Sequence, residues 1–267
     1  MKINKSYAVD YETIINSPTP QATRTWKPVP HSDVMNTVIE EALHRDLDVR
    51  EIKYQLVDVY DKKVRQPYQD MFATMFMQSS NGTFENMLGI RNSHNQRFGA
   101  AACSGSRVIV CSNMVFSGEH VISSKHTKNV HANFNNRVSG MFDNIINNWT
   151  SQEHRYDGYK DTEINSRDVY HIVGEACRNN QAIPASKLNH VIDEYESPSH
   201  PDFEPGNAWS LFNAFTEIYK QCPTSIADSS KRGIALHSIF DSFCSDQIQA
   251  RVNQSQPEQL QSLLAIS

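Results

Sequence analysis

A chain of 267 residues with 39% hydrophobic and 21% charged residues is long enough to bury a substantial core and too apolar to be disordered. Apolar runs stay below the roughly 18 residues a membrane helix needs, and the first twenty residues lack the apolar segment of a secretory signal. The net charge of −5 argues against nucleic acid as a partner only until its distribution is seen.

In chain order, residues 1–30 carry Pro18, Pro20, Pro28 and Pro30 and predict an extended arm. Ser32 is the expected N-cap of a helix with Val34, Val38 and Ala42 on one face, ending near Arg45. Ile52, Tyr54 and Leu56 alternate with Lys53 and Gln55, a strand pattern, and the slip at Leu56-Val57 predicts a bulge or an early end. Asp61-Lys62-Lys63 reads as a turn, Met71–Met77 as a buried strand, Asn81-Gly82 as a hairpin turn and Phe84–Asn92 as the next strand. Two β-prone runs follow, Gly99–Cys103 and Arg107–Cys111, broken by Ser104-Gly105-Ser106. They predict a hairpin at the centre of the sheet. Connections this short imply an antiparallel meander.

After Glu119 the period becomes helical. Val130, Phe134, Val138, Met141, Phe142, Ile145, Ile146 and Trp149 form an apolar stripe, and Asp157-Gly158-Tyr159 is expected in a loop. Further helices carry Val169, Ile172, Val173 and Ala176, then Leu188, Val191, Ile192 and Tyr195. Ser197–Pro201 reads as a rigid loop. Asn207 caps a helix with Trp209, Phe212, Phe215 and Tyr219, and a last helix carries Ile239, Phe240 and Phe243. The fold class is α+β, an N-terminal antiparallel β-meander of four or five strands packed against a mainly helical C-terminal half. Residues 1–30 form the arm. Residues 31–245 form a single domain, with the sheet half at 31–120 and the helical half at 121–245. Residues 246–267 are a loosely packed, Gln- and Ser-rich tail.

The stretches LGIRNSHNQRFGAA, RVIVCSNMVFSGE, SKHTKNV and GNAWSLFNAFTE, in this order and spacing, resemble the phage- and plasmid-borne family known as domain of unknown function 932. The resemblance covers about residues 30–245, and the Asn-Ser-His segment followed by an aliphatic-Cys-Asn segment is its most specific part. Asn95 stands after His94 where such proteins often have Asp, which puts in doubt any chemistry that Asp would perform. The resemblance implies a phage or other mobile-element origin and a host bacterial cytoplasm, and it implies no activity. The five widely spaced cysteines (Cys103, Cys111, Cys177, Cys222, Cys244) fit reduced thiols there.

Catalytic and metal chemistry find little footing. His120, His126 and His131 are spaced six and five apart, which does not stack two imidazoles on one helix face, and no Cys-x-x-Cys pair exists. Cys111 with His94 or His126 would make a thiolate–imidazole pair, but Cys111 follows Val108-Ile109-Val110 and reads as a buried strand thiol. Nucleophile-elbow, phosphate-loop and dinucleotide fingerprints are absent. No enzyme, metal or cofactor is expected.

Nucleic-acid binding has more support. Residues 91–137 carry six basic side chains against one acid, Glu119, so the segment is +5 and the rest of the chain −10. Arg91, Arg97, Arg107, Lys125 and Lys128 are the expected phosphate contacts, and Asn92, His94 and Asn113 the expected sugar or base contacts. Phe98, Phe116 and Phe134 are candidate stacking faces, with core packing as the alternative for each. The helix pair Ile164–Asn180 and Ala185–Tyr195 has helix-turn-helix length, but Asp193, Glu194 and Glu196 outweigh Lys187, so it reads as bundle. The Asn207–Tyr219 helix, apolar on several sides, belongs in the core or in a subunit interface. The arm and tail are segments of the kind that clasp neighbours in a homo-oligomer. The function expected is non-enzymatic binding of single-stranded nucleic acid as a replication or recombination accessory. The alternative is an interaction module that binds or inhibits a host factor such as a defence system, motivated by the −10 balance outside the basic segment.

Overall fold

The computed structural model describes residues 6–60, 67–78, 84–108, 114–115, 121–127, 129–178, 182–222 and 226–264. They fall into two compact units, residues 1–146 with 223–230 and residues 147–222 with 231–267.

In the first unit, β1 (Tyr7–Val9) is followed by α1 (Tyr11–Asn16), whose start is fixed by Asp10 accepting a hydrogen bond from the Thr13 amide at 2.8 Å. Within the described part of the arm, β1 and α1 are thus regular and residues 17–30 irregular. α2 (His31–Leu43) begins at His31 rather than after Ser32, because Pro30 has extended backbone and ends the arm directly before it. It buries Val34, Met35, Val38 and Ala42. β2 (Val49–Tyr60), β3 (Pro67–Gln78), β4 (Phe84–Ser93) and β5 (Ala100–Val108) then run antiparallel to one another in sequence order. β6 (Met114–Val115) and β7 (Val121–Ser124) both pair with β5, and β1 lies on the outer edge of β2. Among the described residues these seven strands form one antiparallel sheet. The turns expected at Asp61–Lys63 and Asn81-Gly82 lie outside the described residues.

Two expectations are corrected by the register. β2 pairs regularly with β3 from Glu51 to Tyr60, passing through Leu56-Val57 without a bulge; its irregularity lies between Val49 and Glu51. Leu56 is fully buried and Val57 takes the opposite face, so both apolar neighbours have somewhere to pack. The hairpin expected at Ser104-Gly105-Ser106 does not form. Those residues continue β5, opposite Leu88, Met87 and Asn86, with Ser104 and Ser106 buried. A complete ladder against β4 outweighs local turn propensity, and Gly105 adds no side chain beside Met87.

α3 (Val130–Asp161) carries the predicted stripe into the first unit: Val130, Phe134, Val138, Met141, Phe142 and Ile145 are all buried. Arg45, at the end of α2, ion-pairs with Asp143 at 2.8 Å and also with Glu41, and its guanidinium lies over the Phe142 ring. Asp157-Gly158-Tyr159 is not a loop but lies within α3. A Cβ on Gly158 would stand 2.5 Å from Ile248 Cγ1 and 3.0 Å from that residue's backbone, so glycine is there to admit a neighbouring helix.

The second unit holds the C-terminal part of α3 with α4 (Ser166–Arg178), α5 (Leu188–Glu196) and α6 (Ala208–Lys220), followed by α7 (Ile226–Phe243) from Lys231 onward and α8 (Ser245–Leu264). The Gln- and Ser-rich end is therefore helical over most of its length, in keeping with the good helix propensity of Gln and Leu. Asn207 caps α6 as expected, accepting from the Ser210 amide at 2.8 Å. Its Trp209, Leu211, Phe212, Phe215 and Ile218 are all buried, which places α6 in the core of this unit.

Tyr156 and Tyr159 of α3 pack against Phe212, and Tyr159 also meets Phe240. The buried Tyr159 hydroxyl donates to Asp241 at 2.5 Å and lies 3.2 Å from His237 Nδ1, while Arg155 pairs with Asp241 at 3.0 Å. Burial, with Arg155 nearby, pushes His237 down to about 3, so it is neutral and donates to the tyrosine. Tyr159→Phe is expected to cost this unit about 2 kcal/mol in chemical denaturation, because Asp241 and His237 both lose a buried partner. A loss below a few tenths would show the cluster to be energetically idle.

Candidate nucleic-acid interface

Strand register decides which of the basic residues come together. One face of the sheet carries the row Gln55, Phe72, Arg91, Ala101 and Ser123, and beside it the row Lys53, Thr74, Gly89, Cys103 and Val121. Phe72, Phe76, Met87 and Cys103 form an apolar cluster on this face, with Val57 and Phe98 packed against it. Two cations sit on its rings. Arg91 Cζ lies 4.8 Å from the centre of Phe98, which is 5.7 Å from Phe72, and Lys53 Nζ lies 5.4 Å from the centre of Phe76. Partial burial lowers the Arg91 pKa, with Cys103 and Asp70 opposing; a guanidinium keeps its charge in such a setting.

Arg97, 56% exposed, pairs with Asp70 at 2.9 Å, and Asp70 is buried at the end of β3 opposite Ser93. Burial raises the Asp70 pKa, while Ser93, Arg97 and Asn95 pull it back. Asp70 thus anchors the guanidinium stem of an otherwise solvent-facing arginine. Lys125 follows Ser124, the partner of Ala100, and is exposed beside Gly99. Arg91, Arg97 and Lys125 therefore share one end of the sheet, with Arg91 over the Phe98 ring. Arg107 stands six residues farther along β5, about 20 Å away, opposite Glu85.

Other predicted contacts lie elsewhere. Phe134 is in the helix-covered core. Asn113, Lys128 and Phe116 lie outside the described residues, as do Cys111 and His120. Asn92 and His94, expected at sugar or base, are buried with their side chains turned to the chain's own arm. Asn92 donates through Nδ2 to the Val29 carbonyl at 2.9 Å and to His31 Nδ1 at 2.9 Å. His94 Nε2 donates to the same carbonyl at 2.9 Å, and His31 Nε2 donates to the Gln69 carbonyl at 3.2 Å. The His31 and His94 rings stack 3.7 Å apart and 5° from parallel. The Asn-Ser-His segment thus fastens the arm to the sheet.

Lys53 was missing from the predicted set. Its signal was present in the alternation that puts Lys53 opposite the apolar face of Ile52, Tyr54 and Leu56. Burial drives the Cys103 thiol up to about 12, and among the described residues no three His, Cys, Asp or Glu side chains are placed to hold a metal ion. No helix among the described residues is long and apolar enough to cross a membrane.

Comparison with curated proteins and with solved structures gives no match. A family model does match, over residues 23–235, a span that holds the arm from Thr23, the whole of β2 to β7 and α3 to α6. With the Asn-Ser-His clamp and the basic end of the sheet both inside it, the chain belongs to the family described as Domain of unknown function (DUF932).

Proposed function

We propose that this protein is a non-enzymatic accessory of mobile-element DNA metabolism that binds single-stranded nucleic acid along the Arg91 face of its sheet. The observation that carries the reading is that Arg91, Arg97 and Lys125 share one end of the sheet, Arg91 over the Phe98 ring, with Lys53 and the register position of Arg107 farther along the same strands. Cations seated on aromatic rings at the end of an antiparallel sheet suit a flexible single-stranded backbone better than a rigid duplex. Phe72 and Phe76 are too buried to stack on bases, so the affinity comes mainly from phosphate contacts and is salt-dependent.

Arg91→Ala combined with Arg107→Ala removes one cation near each end of the track and leaves the Arg97–Asp70 pair intact. The double variant is expected to bind a single-stranded oligonucleotide roughly tenfold more weakly at moderate salt, and its salt slope should fall by about 1.4. Unaltered affinity in a variant with native circular dichroism would sink this site assignment.

A further inference from the structure

We propose that the stacked pair His31 and His94 is an acid-sensitive latch, which holds residues 17–30 on the sheet while both rings are neutral and releases them when the pair takes up a proton. The hydrogen bonds fix the charge state. The Val29 carbonyl accepts from Asn92 Nδ2 and from His94 Nε2. Because that carbonyl can only accept, the Asn92 amide cannot turn over, and its nitrogen must face His31 Nδ1 as a donor. His31 Nδ1 is therefore a bare acceptor, and a proton there would meet the Asn92 amide hydrogens head-on. His94 carries its proton on Nε2, with Nδ1 buried. A charge on either ring would sit 3.7 Å from its neighbour's face, so two charges cannot be held at once.

The surroundings supply a third imidazole rather than relief. His126, after β7, is buried near the pair and lies edge-on to Trp26 of the arm, and its carbonyl accepts from the Lys27 amide at 2.9 Å. Asp70, on the opposite face of β3, is engaged with Arg97. Among the described residues no carboxylate ion-pairs with either ring. Burial is the main force that lowers both histidines, followed for His31 by repulsion from His94; carbonyl contacts from Gln69 to His31, and from Val29 and Pro18 to His94, offset only part of it.

With both rings depressed, the bound arm is at full strength above the ordinary histidine value of about 6.5. It weakens as pH falls below that, by up to about tenfold per pH unit for each ring. The segment released is not neutral: it presents Arg24, Trp26 and Lys27, so acidification would expose a short basic and aromatic strand of chain.

Amide hydrogen exchange of the full chain, corrected for the intrinsic effect of pH, tests this. The Thr23 amide, bonded to the Trp26 carbonyl, and the Lys27 amide report the arm, and β3 and β4 report the sheet. Between pH 7.5 and pH 5.5 the arm is expected to lose roughly ten- to hundredfold of its protection while the strands keep theirs. Constant arm protection across that range, or loss only together with the strands, overturns the latch. His94→Gln keeps an amide donor for Val29 but cannot charge, and should show about the acid response of one ring; an unchanged response overturns the role of the pair. Ring-labelled histidine NMR of the wild type decides independently of any variant. The two rings should gain protons only as the arm opens, and titration near 6.5 with the arm still protected contradicts the proposal.

Discussion

Gly99→Ala is expected to destabilise the sheet unit by about 3 kcal/mol, measured by chemical denaturation. A Cβ built at Gly99 lies 2.3 Å from the Ser124 carbonyl oxygen and 2.9 Å from its carbon, with Lys125 Cα at 3.4 Å. All three are backbone atoms at the end of β7, so no rotamer change relieves the clash. Relief requires β7 to move off β5, breaking the Ala100–Ser124 end of the ladder and displacing Lys125, which follows it. Weaker single-strand binding should accompany the loss of stability. Gly140→Ala is the matched control. It lies exposed within α3 with nothing within 4 Å of its Cβ, and should gain up to about 1 kcal/mol from helix propensity alone. Equal behaviour of the two variants would contradict the close approach at Gly99.

Asn92→Ala is the second substitution with a large expected effect, also about 3 kcal/mol. One amide group serves two buried acceptors, the Val29 carbonyl and His31 Nδ1. Alanine leaves that imidazole nitrogen without a partner and the carbonyl with His94 alone. Hydrogen exchange should show residues 17–30 opening first, ahead of β3 and β4, because the lost bonds join the arm to the sheet and not the strands to each other. Arm protection equal to wild type would show that burial of Pro20 and Val29 holds the segment by itself.

The parts of this fold that were legible in the sequence are those where local pattern and tertiary role agree. The α3 stripe, the alternation of β2, the Asn207 cap and the meander of strands with short connections all follow from period and turn chemistry. The parts that were not legible are those where a distant neighbour sets the outcome. Ser104-Gly105-Ser106 reads as a turn until β4 supplies its ladder. Asp157-Gly158-Tyr159 reads as a loop until Ile248 arrives to need the space. At the candidate site, charge counting found the basic island, and register alone separates Arg91, Arg97 and Lys125 from Arg107 and adds Lys53. Asn92 and His94 show the opposite limit. Polar residues at a strand end look like ligand contacts, and here the main chain of residues 18–29 is their ligand.

The most direct test of the nucleic-acid reading is fluorescence anisotropy of nuclease-treated protein with single- and double-stranded oligonucleotides over a series of salt concentrations. Binding to single strands in preference to duplex is predicted, with log affinity falling by about 0.7 per phosphate contacted for each tenfold rise in salt. No binding to single strands at low salt, or equal binding to both forms, would contradict it and turn attention to a protein partner.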